Sequence, residues 1–145
     1  MPDSKVTDSV VKKEFYNSTV KFHVIATWVG LILNIVWFIS DYFILNDHVV
    51  PFLTFRIAVS LSSALILVFR KKLGINIYSC MFVLVTGISI QNAYMWSVMD
   101  IPHLQKHTFA YMVLFIGVGM LVLWEIKLSV YLAVITIISN IVFYF

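Results

Sequence analysis

His103 and His107 stand four residues apart. That spacing puts both imidazoles on one face if the stretch is the first turn of a helix. With Asp100 or Asp47, they make a donor set suited to a divalent metal. His48 belongs to the same polar group. Histidines titrate near neutral pH, so these residues also suit proton sensing. Two histidines in a loop are equally compatible with ordinary solvation. Arg56 brings a different chemistry. It lies inside the apolar run PFLTFRIAVSLSSALILVF. An arginine within a membrane costs at least ~2.5 kcal/mol on insertion scales unless it reaches the surface or pairs. Arg56 either anchors an anion or pairs with Asp41. Gln91 and Asn92 add neutral hydrogen-bonding groups to a candidate ligand site made with Arg56 and Asp41.

Other chemistries have no footing in the chain. There is no phosphate-binding glycine loop, nucleophile elbow or zinc-protease helix motif. Catalysis by this chain alone is not expected. The single cysteine, Cys80, stands in an apolar run. It excludes an intrachain disulfide and a structural zinc site built on cysteine, and it reads as a small buried apolar residue. His23 and His107 fall near opposite ends of the expected spans, which gives a bis-histidine haem poor support.

These residues must be positioned by membrane helices. Of 145 residues, 61% are hydrophobic and only 12% charged, about half the charged share of a soluble domain, ~25%. Lipid must therefore cover much of the surface. The formal charge of +3 sits in short segments beside apolar runs, which is the pattern of membrane flanks and not of nucleic-acid binding. The first apolar run is too long for a signal-peptide core and lacks a small-residue cleavage site.

The expected fold is an all-α, polytopic membrane helix bundle. Residues 1–21 form a cytoplasmic amino-terminal segment, either an interfacial helix or a loose tail. Residues 22–145 form the bundle, with spans at about 22–44, 49–69, 75–99, 108–124 and 128–145. Each has 17 residues or more, which at ~1.5 Å per residue approaches the ~30 Å hydrocarbon thickness. Asp100 to His107 is expected as a loop. If the spans alternate, Lys5, Lys12, Lys13, Lys21, Arg70, Lys71, Lys72 and Lys127 all fall on one side, and only Lys106 on the other. That side is then cytoplasmic, and the chain is a multi-pass protein of the cell (inner) membrane. The fifth span closes on Ile-Val-Phe-Tyr-Phe with no polar flank. The expectation is that the five spans belong to a six-span module, the alternative being a complete five-span protein.

Polar residues mark the inward faces. His23, Thr27, Gly30, Asn34 and Asp41 trace one helical face, and Arg56, Ser60 and Ser63 another. Cys80, Gly87, Gln91 and Tyr94 trace a third, and Ser129, Thr136 and Asn140 a fourth. Gly117 and Gly119 offer small surfaces for close helix approach. The outer half of the bundle collects Arg56, Asp41, Asp47, His48, Gln91, Asn92, Asp100, His103 and His107, whereas the inner half holds little besides His23.

Three runs, PFLTFRIAVSLSSALILVFRKK from Pro51, GISIQNAYMWSVMD at 87–100 and HLQKHTFAYMVLFIGVGMLVLWE at 103–125, together resemble the amino-terminal six-helix membrane region of bacterial signalling proteins. In those proteins it precedes a histidine kinase or nucleotidyl cyclase domain. The resemblance implies a sensory input module that dimerises and passes a conformational change through its last helix. It transfers the input role and not enzymatic activity. The functional expectation is a module that senses a ligand, ion or proton at the outer polar cluster. A small transporter or channel component and a structural membrane subunit are the alternatives.

Overall fold

The computed structural model describes the backbone of residues 4–44, 46–122 and 124–144. The side chains of Lys5, Val6, Lys12 and Lys106, the approach expected at Gly117 and Gly119, and Phe145 lie outside the described residues. The chain forms α1 (Ser4–Val36), α2 (Phe38–Ile44), a 3-10 turn (Asn46–His48), α3 (Val49–Phe69), α4 (Ile77–Val98), α5 (Ile101–Leu121) and α6 (Ile126–Tyr144). No strand occurs among the described residues.

Local sequence explains the boundaries. Pro51 sits in the first turn of α3, where backbone N–H groups have no helical partner to lose. At the other end of α3, Gly74 takes φ 66°. Ile75 N–H donates to Arg70 O at 2.8 Å and Gly74 N–H to Lys71 O at 3.4 Å. This is the Schellman closure, and it needs a residue at ease in the left-handed region. Asn76 then caps α4, its side chain accepting from Tyr78 N–H at 3.1 Å. The helix ladder breaks between α1 and α2 at Trp37, whose carbonyl accepts from both Ser40 and Asp41 N–H groups.

Four helices are long and apolar enough, among the described residues, to cross a membrane: Lys13–Ile44, Val49–Phe69, Ile77–Val98 and Ile126–Tyr144. Their outward faces carry large apolar residues, among them Ile39, Phe43, Ile126 and Val142, each more than half exposed. Only a lipid solvent makes that favourable for a helix surface. The chain is a polytopic membrane helix bundle. Helix α4 is its centre and packs against α6, α3 and α1. Leu31, Leu67, Ile77, Cys80 and Leu84 form one apolar core between α1, α3 and α4, and Phe52 with Met95 forms another.

Several expectations are corrected. The amino-terminal segment is not separate from the first span. Helix α1 runs through Phe22 without a break, and Tyr16 stacks edge-on against Tyr78 of α4. The five-span count becomes four qualifying helices plus α5. Residues 101–107 are not a loop: Asp100 accepts from His103 N–H at 3.2 Å and starts α5. In α6 Leu132 and Ser139 are buried, and Thr136 and Asn140 of the expected polar face are half-buried beside them. Ser129 is exposed. Thr136 donates to Leu132 O and Asn140 to Thr136 O, each at 2.8 Å. Bonds to its own helix remove the need of a side chain for a partner helix.

Candidate functional site: a buried polar cluster

The face traced by α1 and α2 delivers its polar residues inward. His23, Thr27, Asn34 and Asp41 are all buried. On α3, Arg56, Ser60 and Ser63 are buried as well. The two faces meet at Arg56. Its Nε donates to Asp41 Oδ2 at 2.5 Å. Its Nη1 donates to Asn34 O at 2.8 Å and to Asn34 Oδ1 at 3.0 Å. Asn34 Nδ2 in turn donates to Ser60 Oγ at 3.0 Å and, more weakly, to Arg56 O at 3.4 Å. Arg56 is therefore paired inside the bundle instead of reaching out to the surface. Charge-assisted bonds of this kind are the strong ones, and they offset the desolvation that a lone guanidinium would suffer.

The network is not saturated. Asp41 Oδ1 is buried without a partner among the described residues. Gln91 is 1% exposed, and neither of its amide atoms finds a partner among the described residues. Helices α3 and α4 run antiparallel, with Val59 against Gly87 and Phe52 against Met95. Gln91 lies midway between Gly87 and Met95, which puts it level with Arg56. Asn92, one residue on, is 8% exposed. His107 turns inward from α5, is 7% exposed, and stands edge-on to Trp37 with ring centroids 6.3 Å apart. It is close enough to Asp41 and Arg56 to interact with both charges. Asp41, Arg56, Gln91, Asn92 and His107 are thus brought to one level of the bundle.

The expected metal and proton-sensing set divides. His107 joins the buried cluster. His103 pairs with Asp100 through Nδ1 and Oδ1 at 2.5 Å, on the surface at the start of α5. Asp47 is exposed and His48 half-buried in the 3-10 turn before α3. Among the described residues no group of three or more His, Cys, Asp or Glu converges as a metal site requires. The Asp100–His103 contact holds the Asp100 carboxyl below its ordinary value of 3.8, chiefly through the histidine hydrogen bond. The linkage has one sign. A depressed carboxylate pKa adds stability that is present above the unfolded value and lost as pH falls through the folded one. Titration of 13C-labelled Asp100 is expected to give a midpoint below 3.8, with the first turn of α5 loosening beneath it. A midpoint at or above that value would mean the pair does not persist in solution.

Beside the cluster lies a cavity of about 470 Å³ between α1, α4 and α5. Asn34, Arg56, Asn92, His107 and Tyr111 line one part of it, and the remainder is almost wholly apolar. Tyr111 bonds to Ser89 at 2.8 Å. The cavity and the role of Tyr111 were not legible in the sequence; a hydroxyl inside an expected span was the available signal. His23 is fully buried away from this site, with Nδ1 on Thr19 O at 2.8 Å and Nε2 unpartnered.

No protein-family model, curated protein or solved structure matches this chain.

Proposed function

We propose that the chain is the membrane-embedded input module of a bacterial signal-transduction protein. It sits in the inner membrane with its amino terminus in the cytoplasm, and it works as a homodimer. The observation that carries this reading is the buried Asp41–Arg56–Asn34 network with unpartnered polar atoms at its own level. A bundle that served only as scaffold could hold apolar residues at these positions at little or no cost in stability. Polar groups kept inside a membrane at that cost mark functional positions by default. The unpartnered Asp41 Oδ1 and Gln91 amide supply the second requirement. Hydrogen bonds left unmade in one packing favour an alternative packing that makes them. A ligand, ion or proton that prefers the second packing shifts the population and so carries a signal.

With α5 crossing alongside the four qualifying helices, the eight-to-one distribution of basic residues supports the inner placement of the amino terminus. The test uses the protein in its native membrane with whatever output domain follows in frame. His107→Ala, and the apolar double variant Arg56→Met with Asp41→Leu, are expected to insert normally and to change the signalling output several-fold. If both variants respond as the parent does, the cluster is not an input site.

A further inference from the structure

The cavity described above is open on one flank to the bilayer rather than to water. Phe22, Ile25, Val29 and Leu33 line it, yet each is 45% exposed or more on the lipid-facing side of α1. Its occupant therefore arrives sideways from lipid. Its size lies within the ~300–1,000 Å³ range of small-molecule sites. Most of the wall suits an alkyl chain. The polar part decides the head group. Arg56 already has its counter-charge in Asp41, at 2.5 Å and fully buried. An anionic head would put a second buried negative charge beside Asp41 with one guanidinium to neutralise both, which is strongly unfavourable. The head is therefore neutral. Asn92 and Arg56 both line the cavity. Arg56 offers an N–H donor there, since of its nitrogens only Nε and Nη1 are engaged with Asp41 and Asn34, and Asn92, which hydrogen-bonds Tyr111, keeps a second amide N–H. The head is accordingly an acceptor.

We propose that this cavity binds a neutral, single-chain amphiphile with a carbonyl head group, taken up laterally from the membrane. The chain lies along α1 and α4, and the carbonyl accepts from Asn92 and Arg56. This names a ligand class for the input reading and rests on that reading only for the step from binding to output.

The probe is a monoacylglycerol with a dibrominated chain, added to the full chain in detergent micelles. Bromine quenches tryptophan on contact, and Trp37 lines the cavity. Trp28, Trp96 and Trp124 are replaced by phenylalanine so that Trp37 alone reports. Saturable quenching is expected, at least tenfold tighter than with the ionised fatty acid or the bromoalkane of the same chain. Ala26→Phe, which fills the apolar wall, should abolish it, and Asn92→Leu should weaken it about tenfold. If Ala26→Phe does not fold, Val29→Trp in the same wall takes its place, read by native mass spectrometry of monoacylglycerol retained on a chain with its other tryptophans intact. Quenching that never saturates and survives the filling variant would be ordinary lipid contact, and the site would fall. Equal or tighter binding of the fatty acid would overturn the neutral head, and equal binding of the bromoalkane would overturn any role for the polar part. Binding as expected with unchanged signalling in the His107 and Arg56–Asp41 variants leaves the site standing and removes the input role. Altered signalling without binding does the reverse.

Discussion

Asp41→Ala is expected to destabilise the bundle by about 3–5 kcal/mol, because it leaves the Arg56 guanidinium buried with no counter-charge. Both side chains are within 4% of complete burial, so water does not take over the lost contact. Arg56→Ala should cost about as much, since Asp41 then keeps one carboxylate oxygen unpartnered and loses the bond to the other. Replacing both, as in Arg56→Met with Asp41→Leu, should return stability to within about 1–2 kcal/mol of the parent or above it, because apolar pairs of similar volume often match a buried ion pair. The measurement is a denaturation series in lipid–detergent micelles followed by helical circular dichroism. Single variants as stable as the parent would show that Arg56 is hydrated, and the pair would then be worth the 0–1 kcal/mol of a surface bridge.

Gly87→Leu is expected to weaken the contact between α3 and α4 by about 1–3 kcal/mol. A Cβ placed on Gly87 would lie 2.8 Å from Val59 Cγ1 and 3.2 Å from Cγ2. Valine holds one χ1 rotamer in a helix and cannot swing both methyls aside, so the helices must separate. The separation would act one turn away from Gln91. Val59→Ala removes both methyls and leaves only Cβ, 3.5 Å from the added atom. Gly87→Ala combined with Val59→Ala should therefore pack normally. The same unfolding assay decides the matter: a Gly87→Leu variant of parental stability would mean that α3 and α4 do not approach as closely as described.

Much of the bundle was legible because lipid imposes a simple rule, polar inward. The period of His23, Thr27, Asn34 and Asp41 gave the buried face of α1 and α2, and all four are buried. The period of Arg56, Ser60 and Ser63 did the same for α3. Pairing of Arg56 with Asp41 was one of two readings, and burial of both residues at one level selected it. The rule failed where a polar residue could satisfy itself. Thr136 and Asn140 bond to carbonyls of their own helix and are only half-buried, and Ser129 of the same expected face is exposed. It failed again at residues 101–107. Pro102, the histidines and Gln105 have the composition of a loop, but a proline in the second position of a helix is harmless, and Asp100 supplies the cap. The candidate metal set failed for a tertiary reason. A spacing of four brings His103 and His107 to roughly one face, yet only His107 is far enough along α5 to meet Trp37. Gln91 was identified as polar and inward, and nothing in its neighbours announced that it would lack partners.

The break at Trp37 has a mechanical consequence. It interrupts the long apolar stretch Lys13–Ile44, and Arg56 grips both sides of it. Nε holds Asp41 beyond the joint, and Nη1 holds Asn34 before it. A guanidinium is planar and its N–H groups are fixed relative to one another. It therefore acts as a splint across the interruption, with α3 as the post on which the splint is mounted. A lysine could neutralise Asp41 but has no planar fork to hold Asn34 at the same time.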